Sequence, residues 1–172
     1  MPDPSAAGST GVAQPGDGPA GFRGGCRCAA IRFRSTAPHQ HFIACHCRDC
    51  QYSTGGGPAY VLSVPHDAIV LERGTESLRE FSVTSDSGNE VVRSFCAICG
   101  TPLFERLALR PAIRLIRVGT LDAALQGGPD LTVWTDSAQA WCPIGSDTLQ
   151  FPKNPPPLAS ASHEVNPKMH TE

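Results

Sequence analysis

The 172-residue sequence is poor in aromatic side chains (6%), and Lys153 and Lys168 are its only lysines. Few aromatics argue against a large helical core, while 17 glycines and 16 prolines favour a turn-rich β protein. A strong charge of one sign is also missing. The net charge of −2 provides no field to attract nucleic acid or an anionic membrane, and neither is expected as a partner. No run approaches the ~18 apolar residues that a membrane span requires. The first residues lack the basic stretch and apolar core of a secretory signal, so the expected location is cytoplasmic, where thiols stay reduced. Residues 1–20 hold almost no large apolar side chain, and residues 152–172 contain Pro155-Pro156-Pro157 followed by polar residues. Both are expected to be disordered tails around one domain at 21–151.

Cysteine, by contrast, is abundant. Seven of eight cysteines fall into three clusters: Cys26-x-Cys28, Cys45-x-Cys47-x-x-Cys50 and Cys96-x-x-Cys99. A two-residue gap lets one turn aim two sulfurs at one point, the spacing a tetrahedral metal needs. In a reducing compartment such clusters read as metal ligands rather than disulfides. Seven ligands divide into four and three. Structural zinc uses four protein ligands, whereas catalytic zinc uses three and leaves one position to water or substrate. Cys26 and Cys28, on one face of a flat strand, are expected to join Cys96 and Cys99 in a closed site, with Gly100 supplying a left-handed residue after the knuckle. Cys45, Cys47 and Cys50 are expected to hold the second zinc. Its open apex survives only because Cys142, in Trp141-Cys142-Pro143, is expected to stand apart as a free thiol.

Other residues around Cys45–Cys50 suit the same chemistry. His46 and Asp49 are candidates to carry protons or orient the ligands. Alternation along Cys45-His46-Cys47 directs the imidazole away from the metal. Gly55, Gly56 and Gly57 form a loop that a substrate can approach closely, with backbone N–H groups available to an anion.

Between the clusters the pattern is one of short strands. Ile31–Arg34, His41–Ala44, Ala59–Val64, Ala68–Leu71, Leu78–Val83, Val91–Phe95, Pro102–Glu105, Ile113–Val118 and Leu131–Trp134 carry apolar or alternating patterns. Asp86-Ser87-Gly88-Asn89 reads as a hairpin loop and Leu121–Leu125 as one helical turn. The expected class is all-β, with few or no helices.

Gly25-Cys26-Arg27-Cys28, Cys45-His46-Cys47-Arg48-Asp49-Cys50-Gln51 and Phe95-Cys96-Ala97-Ile98-Cys99-Gly100-Thr101-Pro102-Leu103 resemble the glutathione-dependent formaldehyde-activating enzyme family. The family's domain also occurs in centromere protein V. The resemblance covers roughly Gly24 to Trp141. It implies an Mss4-like zinc-containing β-sheet fold with two zinc ions per chain, one structural at Cys26, Cys28, Cys96 and Cys99, and one catalytic at Cys45, Cys47 and Cys50. The implied activity is that of a carbon–sulfur lyase joining glutathione to formaldehyde as S-hydroxymethylglutathione. A small thiol and a small aldehyde are thus the implied partners. Thr132 departs from the pattern, standing where many members carry histidine. Two other readings suit the same cysteines: a non-catalytic zinc-stabilised binding module, and a redox-sensing zinc protein that ejects its metal on oxidation.

Overall fold

The computed structural model describes residues 21–155. The expected tail at 1–20, and that at 152–172 from residue 156 onward, lie outside the described residues. Eleven strands and one short α-helix make up the fold: β1 (Phe22–Gly25), β2 (Arg32–Ser35), β3 (His41–Cys45), α1 (Arg48–Thr54), β4 (Ala59–Pro65), β5 (Ile69–Arg73), β6 (Leu78–Thr84), β7 (Glu90–Cys96), β8 (Pro102–Leu107), β9 (Ile113–Arg117), β10 (Leu131–Val133) and β11 (Leu149–Phe151). The all-β class expected from the alternating patterns is the class observed. Among the described residues no helix is long and apolar enough to cross a membrane.

Eight strands form one sheet in the order β11-β10-β3-β4-β9-β8-β7-β6, and β1-β2-β5 form a smaller one. Pairing is antiparallel except where β10 runs parallel to both β3 and β11. Period-two alternation splits the side chains between two cores. Val64, Phe104 and Ile116 pack with Ile31, Phe33, Cys26 and Cys96 on one face of the large sheet. Ala59, Val61 and Leu115 pack with Cys47, Cys50, Val133 and Trp134 on the other. The two cysteine groups are therefore placed on opposite faces.

Two local expectations are corrected. Leu121–Leu125 does not form a helical turn; Leu121 makes an antiparallel bridge to Gly24, and the tight turn falls earlier, at Val118–Thr120. That bridge brings the chains so close that a Cβ on Gly24 would lie 2.3 Å from the Thr120 carbonyl oxygen. Cys26-x-Cys28 is not on a flat strand either. β1 ends at Gly25, and the Ala29 N–H closes a turn onto the Cys26 carbonyl at 2.9 Å, with Ala29 at φ 60°. The two sulfurs converge because the chain bends.

The fold's contacts continue beyond Phe151. The Trp134 indole N–H donates to Asn154 Oδ1 at 2.9 Å, and the Lys153 ammonium lies 4.8 Å from the Trp134 ring centroid. These contacts back a residue held at φ 62°, which costs about 1–3 kcal/mol outside glycine.

Candidate metal centres and the adjoining cavity

On the face packed around Phe33 and Phe104, the four sulfurs of Cys26, Cys28, Cys96 and Cys99 lie within 4.8 Å of one another. Cys26 Sγ is 3.5 Å from Cys28 Sγ, and Cys28 Sγ is 3.8 Å from Cys96 Sγ. A tetrahedron with metal–sulfur bonds of about 2.3 Å has edges of about 3.8 Å, so the spacing fits a four-thiolate metal. The Cys96–Cys99 turn closes with the Gly100 N–H on the Cys96 carbonyl at 2.8 Å, and Gly100 has the expected left-handed conformation, φ 71°. Cys26 and Cys96 are buried, whereas Cys28 and Cys99 face solvent. Burial opposes ionisation of Cys26, but the Ile31 N–H at 3.2 Å and the neighbouring thiols outweigh it and lower its pKa. Hydrogen bonds from Thr101 bring Cys99 down to about 5.

On the opposite face, Cys45 at the end of β3 meets Cys47 and Cys50 at the start of α1, again within 4.8 Å. Cys47 is the helix N-cap, and its sulfur accepts the Cys50 N–H at 3.4 Å. Asp86, on the β6–β7 hairpin loop, accepts the Arg48 N–H at 2.9 Å, and Asp49 accepts the Asp86 N–H at 3.0 Å. Asp49, expected near the metal, thus spends one carboxylate oxygen in fixing the hairpin to the helix. Gln51 ties the other side, donating to the carbonyls of His46 and Ser137, each at 2.7 Å.

The three thiols compete for ionisation. Hydrogen bonds from Cys45 and Cys50 hold Cys47 down to about 3, while the same sharing pushes Cys45 up to about 12 and Cys50 higher still. The sharing favours a single thiolate, at Cys47, and a bound cation would favour ionisation of the other two. His46 joins neither group of sulfurs; it is buried, and burial lowers its pKa, which favours the neutral ring. Cys142 also joins neither group, and its N–H closes a local turn onto Gln139.

At the far end of α1, the N–H groups of Gly55 and Gly56 both donate to the Gln51 carbonyl, with Gly55 at φ 78°. Two members of the expected substrate loop are thus committed to closing the helix. Thr132 faces away from the three cysteines, its hydroxyl 3.1 Å from that of Thr148. The departure at that position does not touch the metal centre.

A family model described as glutathione-dependent formaldehyde-activating enzyme matches residues 21–137, most of the described chain. This chain belongs to that family. Among curated proteins no match is found. A crystal structure of a Rhodobacter sphaeroides protein is similar at 18% identity and a TM-score of 0.49, covering 60% of this chain and 91% of that one.

Beside the three cysteines of this family member lies a feature that the sequence analysis missed. Arg93 on β7, half-buried, and Glu105 on β8 and Arg117 on β9, both buried, form a charge cluster on the same sheet face. Arg93 and Glu105 are cross-strand partners, with Arg93 Nε 3.8 Å from Glu105 Oε1. Arg117 pairs with Glu105 and donates to Ser53 Oγ at 2.8 Å, and Ser53 Oγ in turn donates to the Cys50 carbonyl at 2.9 Å. Arg93 also helps lower the Cys47 pKa, as expected of a cation facing that thiolate. A cavity of about 340 Å³ opens here, lined by Ser53, Arg93 and Arg117 and walled by Phe81, Phe95 and Pro102. The one sequence cue was charge at Glu105 and Arg117 within otherwise apolar strand faces.

Proposed function

We propose that this chain is a zinc-dependent carbon–sulfur lyase acting on adducts of a thiol, glutathione or a close relative, with a small aldehyde such as formaldehyde. Two zinc ions are assigned, one held by Cys26, Cys28, Cys96 and Cys99, the other by Cys45, Cys47 and Cys50. The observation that carries the reading is the three-thiol group with a cavity at its side and Cys142 outside it. Bound there, zinc supplies a site that accepts and ionises a fourth sulfur. The protein's part is then positional. Cys47 caps α1, Arg117 and Ser53 pin the helix to the sheet, and the cavity holds an incoming thiol and aldehyde together, so that proximity carries most of the rate. In the forward direction a sulfur–carbon bond forms, the carbonyl π electrons pass to oxygen, and the proton lost by the thiol ends on the new hydroxyl. His46 and Asp49 remain candidates for guiding that proton, and Gly57 for contacting substrate. A cytoplasmic setting suits reduced thiols, and a net charge of −2 suits a small-molecule enzyme rather than a nucleic-acid binder.

The test is turnover. Zinc-loaded protein mixed with glutathione and ¹³C-formaldehyde should accelerate appearance of the hydroxymethyl signal above the spontaneous rate, and Cys47→Ser should abolish the acceleration. Equal rates with wild type and no protein would remove the lyase reading and leave the binding module.

A further inference from the structure

We infer that β6 is a dimerisation edge: two copies of this chain pair their β6 strands antiparallel about a two-fold axis at Ser82, continuing one large sheet into the other. This goes beyond the lyase reading and stands independently of it.

Unequal treatment of the sheet edges is the first reason. Among the described residues, β11, β6, β1 and β5 are the strands that end a sheet. β11 has three residues, β1 has four and is bridged at Gly24 by Leu121, and β5 has five and ends in Glu72-Arg73. β6 has seven, contains no proline, and pairs with β7 along its whole length without a bulge. Natural proteins shorten, charge or kink an exposed edge, because an open row of N–H and C=O groups invites another strand. In β6 the charges stop at Glu80, whose carboxylate is held by Arg106 and Ser94. Phe81-Ser82-Val83-Thr84 follows without charge, and Phe, Val and Thr are strand-forming.

Hydrogen-bond parity is the second. On either side of β6, the Ala97 N–H donates to the Ser77 carbonyl and the Ser85 N–H to the Asn89 carbonyl. Antiparallel ladders alternate, so Arg79, Phe81 and Val83 bond to β7, while the backbone groups of Leu78, Glu80, Ser82 and Thr84 point outward. Leu78 is already satisfied. Its N–H donates to the Thr75 carbonyl, and its carbonyl accepts from Arg79 Nη1 at 3.0 Å. Glu80, Ser82 and Thr84 face no strand among the described residues.

Self-complementarity is the third, and it selects a second copy as the occupant. Centred on Ser82, an antiparallel copy sets Ser82 against the partner's Ser82 and Glu80 against the partner's Thr84. Every outward N–H and C=O of these residues then meets a free group. Centring on Glu80 opposes like charges, and centring on Phe81 offers Thr84 to the occupied Leu78. The Ser82 centre also puts Phe81 opposite the partner's Val83 at a non-hydrogen-bonded position, where an aromatic and a β-branched side chain pack closely. Phe81 is 59% exposed in the single chain, and this contact covers it. Because Phe81 also walls the cavity, the partner's Val83 comes to the cavity rim.

Sedimentation velocity of the full zinc-loaded chain tests this, over about 1–100 µM because one strand pair makes a small interface. The mass should rise from monomer to dimer. Ser82→Pro removes an outward N–H and none of the bonds to β7, and should weaken association about 10- to 100-fold, since each copy loses one donor. Ser82→Lys keeps the N–H but places like charges face to face, so it should also weaken association, with recovery in about 1 M salt. It carries the test if Ser82→Pro fails to fold. In amide exchange followed by NMR, Glu80, Ser82 and Thr84 should gain protection with concentration, whereas Arg79, Phe81 and Val83 stay protected throughout. Monomer at every concentration, or equal association in wild type and the folded variants, overturns the proposal. So does concentration-independent protection of Glu80, Ser82 and Thr84 in a monomer, which would mean that a segment of the same chain outside residues 21–155 covers the edge.

Discussion

On the proposed two-zinc assignment, removing Cys96 should destabilise the protein about twice as much as removing Cys47, although each variant takes one sulfur from one site. The difference comes from what each metal ties together. The four-cysteine group links Cys28 to Cys96 across a sequence separation of 68. Loop-closure entropy for a cross-link of that length is worth about 4 kcal/mol at 25 °C. The three-cysteine group joins Cys45 to Cys50, and the same relation gives about 2 kcal/mol for so short a loop. Spread over a domain of about 135 residues, with unfolding entropy near 2 cal/mol/K per residue, these losses lower Tm by about 15 °C and about 7 °C. Cys96 is fully buried, so serine there also leaves a hydroxyl in an apolar cluster, which adds to the larger loss. Thermal unfolding of zinc-loaded Cys96→Ser and Cys47→Ser at one protein concentration, followed by circular dichroism, measures both shifts. Chelated samples should erase the difference except for the hydroxyl's share. Equal shifts for the two variants, or a larger one for Cys47→Ser, would refute the division of labour between the metals.

Other consequences can be checked as readily. Fully loaded protein should contain two zinc ions per chain, and graded chelation should empty the three-cysteine site first because only three protein ligands hold it; one zinc per chain would contradict this. Zinc uptake at that site should release about two protons at neutral pH. Cys47, lowered to about 3, is already ionised there, while Cys45 at about 12 and Cys50 are not. Zinc affinity of that site, measured by chelator competition on protein already loaded at the four-cysteine group, should therefore rise with pH with a log–log slope of about 2, and a slope of 3 would mean that Cys47 enters protonated. Glu105→Gln takes the carboxylate from buried Arg117 and should cost about 3–5 kcal/mol in urea unfolding, whereas a loss below 1 kcal/mol would mean that water reaches the pair.

Most of the β architecture was legible because its signals are local. Alternation in Ala59–Val64 or Ile113–Val118 repeats every two residues, and the cysteine spacings lie within a few residues of one another. The grouping of the sulfurs into four and three was legible for the same reason, and the geometry groups them accordingly. What escaped depended on distant partners. The helix Arg48–Thr54 begins at a cysteine cap and is steadied by Asp86 from a hairpin 38 residues away, so nothing near it announces a helix start. Bending at Cys26–Ala29 rests on a left-handed alanine, which sequence does not mark as glycine would. The Arg93–Glu105–Arg117 cluster exists only through the register of β7, β8 and β9, where three ordinary strand charges meet on one buried face.

The proposed function turns on whether a metal held by Cys45, Cys47 and Cys50 has an open position. Cobalt(II) substituted for zinc makes it visible, because sulfur-to-metal charge-transfer absorption grows with each thiolate bound. Addition of glutathione to the cobalt-loaded protein should increase that absorption by one thiolate's worth, in wild type and equally in Cys142→Ser. Absorption that already corresponds to two four-sulfur centres before glutathione is added, and that falls in Cys142→Ser, would mean a closed site and no place for a substrate sulfur.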